Sequence, residues 1–190
     1  MVSKTIYQAL EDKNNPDSIK NDGPFLCERD NSWLGTGYYF WESFIENAHW
    51  WGREGANYSN GYVICKAQYD FDEDHCFNLI DNPNHLNLLK ETYKLLKNNG
   101  LANKRTTVKR IITYLKDKRG IFRYKATRVY GIHSKNKKSD FMDFFPFING
   151  HIAYLDATPA IQICFYNKKA LNFRDYHIVF PDKYIEDYAI

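Results

Sequence analysis

Gly35-Thr36-Gly37-Tyr38-Tyr39-Phe40-Trp41, running on through Ser43 to Trp50-Trp51-Gly52, decides how the rest of the chain is read. Two glycines two residues apart let the backbone turn sharply and come close to a ligand. Tyr38 to Trp41 is bulky, aromatic and suited to a strand. From Glu42 the period changes. Phe44, Ile45, Ala48 and Trp51 fall at helical spacing, with Ser43 placed to cap the helix. A strand feeding a helix, with aromatic groups at both ends, can form a slot for a flat ring. The plainer alternative is an aromatic core strand packed on its own helix.

On its N-terminal side, Thr5 to Leu10 reads as the first strand, and Glu11 to Asn21 as a loop or weak helix. Gly61 to Tyr69 is a mostly apolar run and so a strand near the middle of a sheet. Cys76 to Ile80 reads as another short strand, ended by Asp81-Asn82-Pro83. Asn84 to Asn98 and Thr106 to Lys118 carry apolar residues at helical spacing and end at glycines, Gly100 and Gly120. The second of these is basic, with Lys104, Arg105, Lys109, Arg110, Lys116, Lys118 and Arg119. A solvated helix face explains that charge by default, and contact with nucleic acid or an acidic partner is the alternative. Phe122 to Ile132, Ile161 to Tyr166 and Asn172 to Phe180 read as late strands. Lys135 to Lys138 reads as an exposed loop, and the aromatic run Asp140 to Phe147 as a segment anchored on the domain or on a ligand.

The Gly35–Trp50 block resembles the nicotinamide-binding core of the ADP-ribosyltransferase superfamily, in its poly-ADP-ribose-polymerase-like branch. That family carries a Gly-x-Gly-hydrophobic-Tyr-Phe-small strand, then a helix with a Ser and a second aromatic. Gly35, Gly37, Tyr38, Tyr39, Phe40 and Trp41 match the strand. Counting along the helix puts Asn47 at the family's Ser and Trp50 at its second aromatic. The resemblance implies an α+β fold with a split β-sheet core and a helical insertion at about residues 84–119, in a single domain spanning 1–190. It also implies NAD as substrate, with Tyr39 and Trp50 sandwiching the nicotinamide ring beside Gly37 and Asn47. The family's His-Gly pair on the first strand corresponds to Gln8-Ala9, so Gln8 would bind a ribose and the Ala9 backbone the nicotinamide amide. The catalytic Glu of the late strand corresponds to Gln162, which can hydrogen-bond the reacting ribose but lacks the charge, with Asp156 the nearest carboxylate upstream. Gln162 and Tyr39 are thus the implied catalytic positions.

The bulk composition sets limits on these readings. A chain of 190 residues that is 44% hydrophobic suits one domain with a substantial core. A net charge of +3 does not of itself identify a nucleic-acid binder. Cys27, Cys65, Cys76 and Cys164 form no CxxC pair, so neither a zinc site nor a redox motif is indicated, and cysteine usage fits a reducing cytoplasm. No signal-peptide core or membrane-spanning run is read. Three functions are therefore expected in order. The first is ADP-ribosyl transfer from NAD to a protein or nucleic-acid acceptor. The second is an inactive module on the same fold that binds NAD, ADP-ribose or a protein. The third is a nucleic-acid-interacting protein using the basic 104–119 segment.

Overall fold

A computed structural model describes residues 2–118, 120–131 and 144–185. The fold is α+β, built on a seven-stranded sheet in the order β4-β5-β8-β2-β1-β3-β9. The strands are β1 (Val2–Glu11), β2 (Tyr38–Glu42), β3 (Tyr62–Phe71), β4 (Cys76–Asn78), β5 (Ala126–Tyr130), β8 (Ile161–Phe165) and β9 (Arg174–Phe180). β6 (Phe144–Pro146) and β7 (Tyr154–Asp156) form a separate hairpin. Only β4 and β5 pair in parallel within the large sheet. The helices are α1 (Pro16–Asp22), α2 (Ile45–Trp50), α3 (Pro83–Asn98) and α4 (Val108–Asp117). Among the described residues, no helix is long and apolar enough to cross a membrane.

Both faces of the sheet are covered, which explains its near-continuous apolar strands. In β3, Val63, Ile64, Cys65, Ala67 and Tyr69 are all fully buried. One face carries Ile6, Phe40, Ala67, Tyr69, Ile163 and Phe165 in a single core. The opposite face packs against the helices, with Ile112 and Leu115 of α4 against Phe77 and Cys164, and Ala48 and Trp50 of α2 against Trp41 and Ile64. Asn82 caps α3, its side chain accepting from the Asn84 and His85 amides, and Thr107 caps α4 through the Arg110 amide.

Of the loop or weak helix expected over Glu11–Asn21, Pro16–Asp22 is a helix, with Pro16 at its first position where a missing N–H costs nothing. Other elements differ from expectation. Ser43 does not cap α2; it adopts a left-handed φ of 68° and the helix starts at Ile45. α2 then widens into a π-turn over Trp51–Gly55. The strand expected over 122–132 is confined to Ala126–Tyr130. The 135–138 loop and the first half of the 140–147 run lie outside the described residues. Of that run, Phe144 packs on Tyr154 with ring centroids 4.3 Å apart, while Phe145 and Phe147 are exposed.

Gly37 is required by close approach. A Cβ there would run into the Cys164 sulfur and the Phe165 carbonyl of β8. Gly37→Ala is expected to cost about 1–3 kcal/mol by forcing β2 and β8 apart, measured as a lower urea midpoint with an unchanged slope. An unaltered midpoint would show that the two strands yield freely at this point.

Candidate functional site

β1 and β2 are neighbours that barely pair. β1 matches β3 over ten register positions, from Val2↔Phe71 to Glu11↔Tyr62, but β2 only at Ile6↔Glu42 and Tyr7↔Trp41. Beyond that point the sheet opens. The Thr5 carbonyl accepts from the Ser43 amide, so backbone alternation directs the peptide groups of Thr5, Tyr7 and Ala9 toward β2. At Ala9 there is no paired β2 residue opposite, and its N–H and C=O face the opening.

The Gln8 side chain bridges this opening. Its Nε2 donates to the Tyr39 carbonyl at 3.4 Å and to the Phe25 carbonyl at 3.3 Å. Its Oε1 accepts from the Phe25 amide at 3.4 Å and from the Tyr176 hydroxyl at 2.8 Å. One side-chain amide thus replaces strand-to-strand bonding and holds the Phe25 segment against the split.

A cleft of about 220 Å³ lies in the opening. Ala9, Tyr39 and Trp41 line its base, and Trp33, Trp51 and Tyr58 wall it. The segment Phe25–Ser32 closes one side, with the Arg29 guanidinium 6.0 Å from the Tyr58 ring centroid. All four tryptophans of the chain gather here. Trp41 meets Trp33 and Trp50 edge-on, at 6.3 and 5.7 Å between centroids, and Trp51 tilted at 6.1 Å.

Gln162 reaches the cleft from β8. It stands in one cross-strand row with Tyr7, Trp41 and Val129 and shares their face of the sheet. It is 8% exposed, and its Oε1 has no hydrogen-bond partner among the described residues. A buried carbonyl oxygen left unmatched costs on the order of 1–3 kcal/mol. A ligand in the cleft with an N–H or O–H to offer would remove that cost.

The expected site residues fall into three groups. Gln162, Ala9 and Tyr39 do border one cleft. Gln8 borders it too, but on a strand its side chain points opposite to those of Tyr7 and Ala9, so it does not share a face with Tyr39 and Gln162. Its amide groups are spent on Phe25, Tyr39 and Tyr176, which makes it a strut rather than a ribose ligand. Gly37 acts by permitting contact with β8 and does not line the cleft.

Tyr39, Asn47 and Trp50 do not build the expected slot. The Tyr39 hydroxyl donates to the Gly35 carbonyl at 2.6 Å and accepts from the Leu34 amide at 2.9 Å. Burial, reinforced by the neighbouring Cys164 thiol, pushes its pKa well above the ordinary value, so the hydroxyl stays protonated. Trp50 is buried against Trp41 and lies outside the cleft lining, so the indole of Trp41 takes the space where a ring was to stack. Asn47 is fully buried, and its Nδ2 donates to the Pro159 carbonyl at 3.0 Å. It ties α2 to the segment entering β8, which sets Gln162 in place. Asp156 does not reach the cleft; it accepts from the Tyr130 hydroxyl and the Thr158 amide. The carboxylate that does border the cleft is Glu28, on the exposed rim.

Sequence reading missed Trp33, Trp51 and Tyr58. The available signal was the crowding of four tryptophans into nineteen residues, Trp33 to Trp51. It also missed Glu42 on the far face, which is 1% exposed. Glu42 receives Arg128 Nε and Nη2 at 2.8 and 2.7 Å, Lys4 Nζ at 2.7 Å and the Tyr69 hydroxyl at 2.7 Å.

No family model, curated protein or solved structure matches the chain.

Proposed function

We propose that the cleft between β1 and β2 binds the nicotinamide end of NAD and that the protein transfers the ADP-ribose portion to a macromolecular acceptor. The observation that carries this reading is Gln162, which lines an aromatic cleft at the split of the sheet and carries a buried, unmatched Oε1. Drug-sized ligands occupy pockets of roughly 300–1,000 Å³. A cleft of about 220 Å³ suits a ring with its sugar, the remainder of the dinucleotide lying outside.

The roles shift from those the resemblance implies. Trp51 and Trp33 supply the aromatic walls instead of Tyr39 and Trp50. An offset-stacked ring gains about 0.5–1.5 kcal/mol beyond its buried area. The peptide group of Ala9, facing the opening, supports the reading because a carboxamide carries the donor and the acceptor that would pair with it. Gln162 accepts from a ribose hydroxyl. In the reaction the glycosidic C–N bond breaks, nicotinamide leaves with the bonding electron pair, and the acceptor's nucleophile forms the new bond to the ribose carbon. Tyr39 is left as support for the Leu34–Gly35 turn.

A second reading has its own support. Among the described residues, no carboxylate borders the cleft except Glu28 on its rim, so stabilisation of the oxocarbenium-like charge is weak. On that reading the same cleft binds NAD or ADP-ribose without turnover. Incubation with NAD, followed by quantification of free nicotinamide, separates the two. Transfer predicts steady release above the protein-free rate. Release no faster than in buffer, with binding intact, would leave the binding module.

A further inference from the structure

We propose that single-stranded nucleic acid docks on the cationic surface formed by α4 and its flanks, residues 104–118 and 120–125, and runs from there to the cleft. In the sequence, nine of the chain's 26 Lys and Arg fall between positions 104 and 125, against one acid, Asp117. The chain's net charge is only +3, so the remainder is net acidic and the positive charge is segregated onto one segment. Lys104, Arg105, Arg110, Lys118, Arg123 and Lys125 are exposed, and none has a carboxylate within ion-pair range among the described residues. A solvated helix commonly spaces its cations with acids; this one concentrates them unpaired.

The chemistry of the surface favours a polynucleotide over a bilayer. Ile111, Ile112 and Leu115 of α4 are buried beneath it, and Ile121 is the one large apolar side chain of the stretch exposed among the described residues, too little to form a face that inserts into lipid. Rings are interleaved with the cations. Lys116 Nζ lies 3.1 Å from the Tyr166 ring centroid and 5.5 Å from that of Phe122, and Lys118 Nζ lies 5.0 Å from that of Tyr114. Lys116 covers rings that pack on the core, whereas Lys118 beside the half-buried Tyr114 ring sets a cation that can track phosphate next to a face that can stack a base, the pattern of single-strand binding. The surface also meets the cleft. Lys109 Nζ donates to the Asp30 carbonyl at 3.0 Å, and Asn31, Ser32 and Trp33, which follow, wall the cleft. Docking itself does not depend on what the cleft binds. The added statement that the docked strand is the acceptor rests on the transferase reading.

The test is fluorescence anisotropy of labelled oligouridylate and oligothymidylate of about 12 nucleotides. It compares wild type with the triple variant Lys104→Glu, Arg105→Glu, Arg110→Glu. All three positions lie before α4 or in its first turn, where negative charge suits the helix dipole, so the variant keeps its fold. Thermal melting checks this, and a parallel NAD titration shows that the cleft is unchanged. Wild type is expected to bind, with affinity falling as salt rises from about 50 to about 200 mM. Each lost phosphate contact lowers the log–log salt slope by about 0.7 for a single strand, so the variant should flatten it by about 2 and bind at least about tenfold more weakly at the lower salt. Failure of wild type to bind at the lower salt would overturn the proposal. So would a triple variant that binds as well as wild type, or equal affinity for polyglutamate, which would mark a site for acidic protein.

Discussion

Arg128→Met is expected to lower stability by about 3–5 kcal/mol, the cost of leaving a buried charge without its partner. Arg128 grips Glu42 with two nitrogens, at 2.7 and 2.8 Å, and both side chains are nearly inaccessible, at 8% and 1% exposure. The pair links β5 to β2 across β8, on the face opposite the cleft. Removing Arg128 leaves the carboxylate with Lys4 and Tyr69, too few partners for a group out of water. Adding Glu42→Gln to the variant is expected to recover much of the loss, since the unmatched charge is then gone. Urea unfolding of the wild type, single and double variants reads this coupling directly. A single variant within about 1 kcal/mol of wild type would show that water reaches Glu42.

The same carboxylate sets a pH dependence. Burial favours its neutral form, but the hydrogen bonds and charge of Arg128, then the hydrogen bonds of Lys4 and Tyr69, outweigh burial and hold the pKa below the ordinary 4.5. A depressed folded pKa means that the unfolded chain takes up the proton first. The stabilisation is therefore complete above pH 4.5 and is lost as pH falls toward the folded value. An acid unfolding curve should show this loss in the wild type and not in the double variant.

Gln162→Glu carries the second large effect. It places a charge where the cleft has only a carbonyl oxygen, in the cross-strand row with Trp41. A preorganised electrostatic group aimed at developing charge is worth about 10²–10³ in rate. On the transferase reading, nicotinamide release by the variant should exceed wild type by about that factor, with NAD affinity changed far less. The positive charge sits on the pyridinium ring of bound NAD and moves onto the ribose carbon as the glycosidic bond breaks, so a carboxylate beside the ribose gains most in the transition state and the larger effect belongs in kcat. A variant that binds NAD and releases nicotinamide no faster would oppose the transferase reading and favour the binding module.

The order of strands and helices along the chain was readable because Gly, Pro and Asn-rich stretches punctuate it. The face of each site residue was not. β1 is covered on both sides, so Ile6, Tyr7, Ala9 and Leu10 give no clean alternation, and nothing in the sequence says that Gln8 points away from Tyr39. Trp50 and Trp51 are adjacent, and helical spacing assigns the cleft to one of them only if the helix stays regular. The helix passes into a π-turn at Trp51–Gly55, and it is Trp51, not Trp50, that lines the cleft. The Glu42–Arg128 pair spans 86 residues of sequence, and no local pattern announces it. Gln162 was legible as a position on a late strand, while its unmatched oxygen appears only once the strands are packed.

The most direct test of the central claim is a calorimetric titration with NAD and with nicotinamide, on wild type, Trp51→Ala and Trp51→Phe. Tryptophan fluorescence can be followed in parallel, because all four indoles border or adjoin the cleft. Binding by wild type that weakens at least about tenfold in Trp51→Ala, a change of about 1.4 kcal/mol, and returns in Trp51→Phe is the predicted result. Absence of binding to wild type, or binding indifferent to the ring at position 51, would contradict the account.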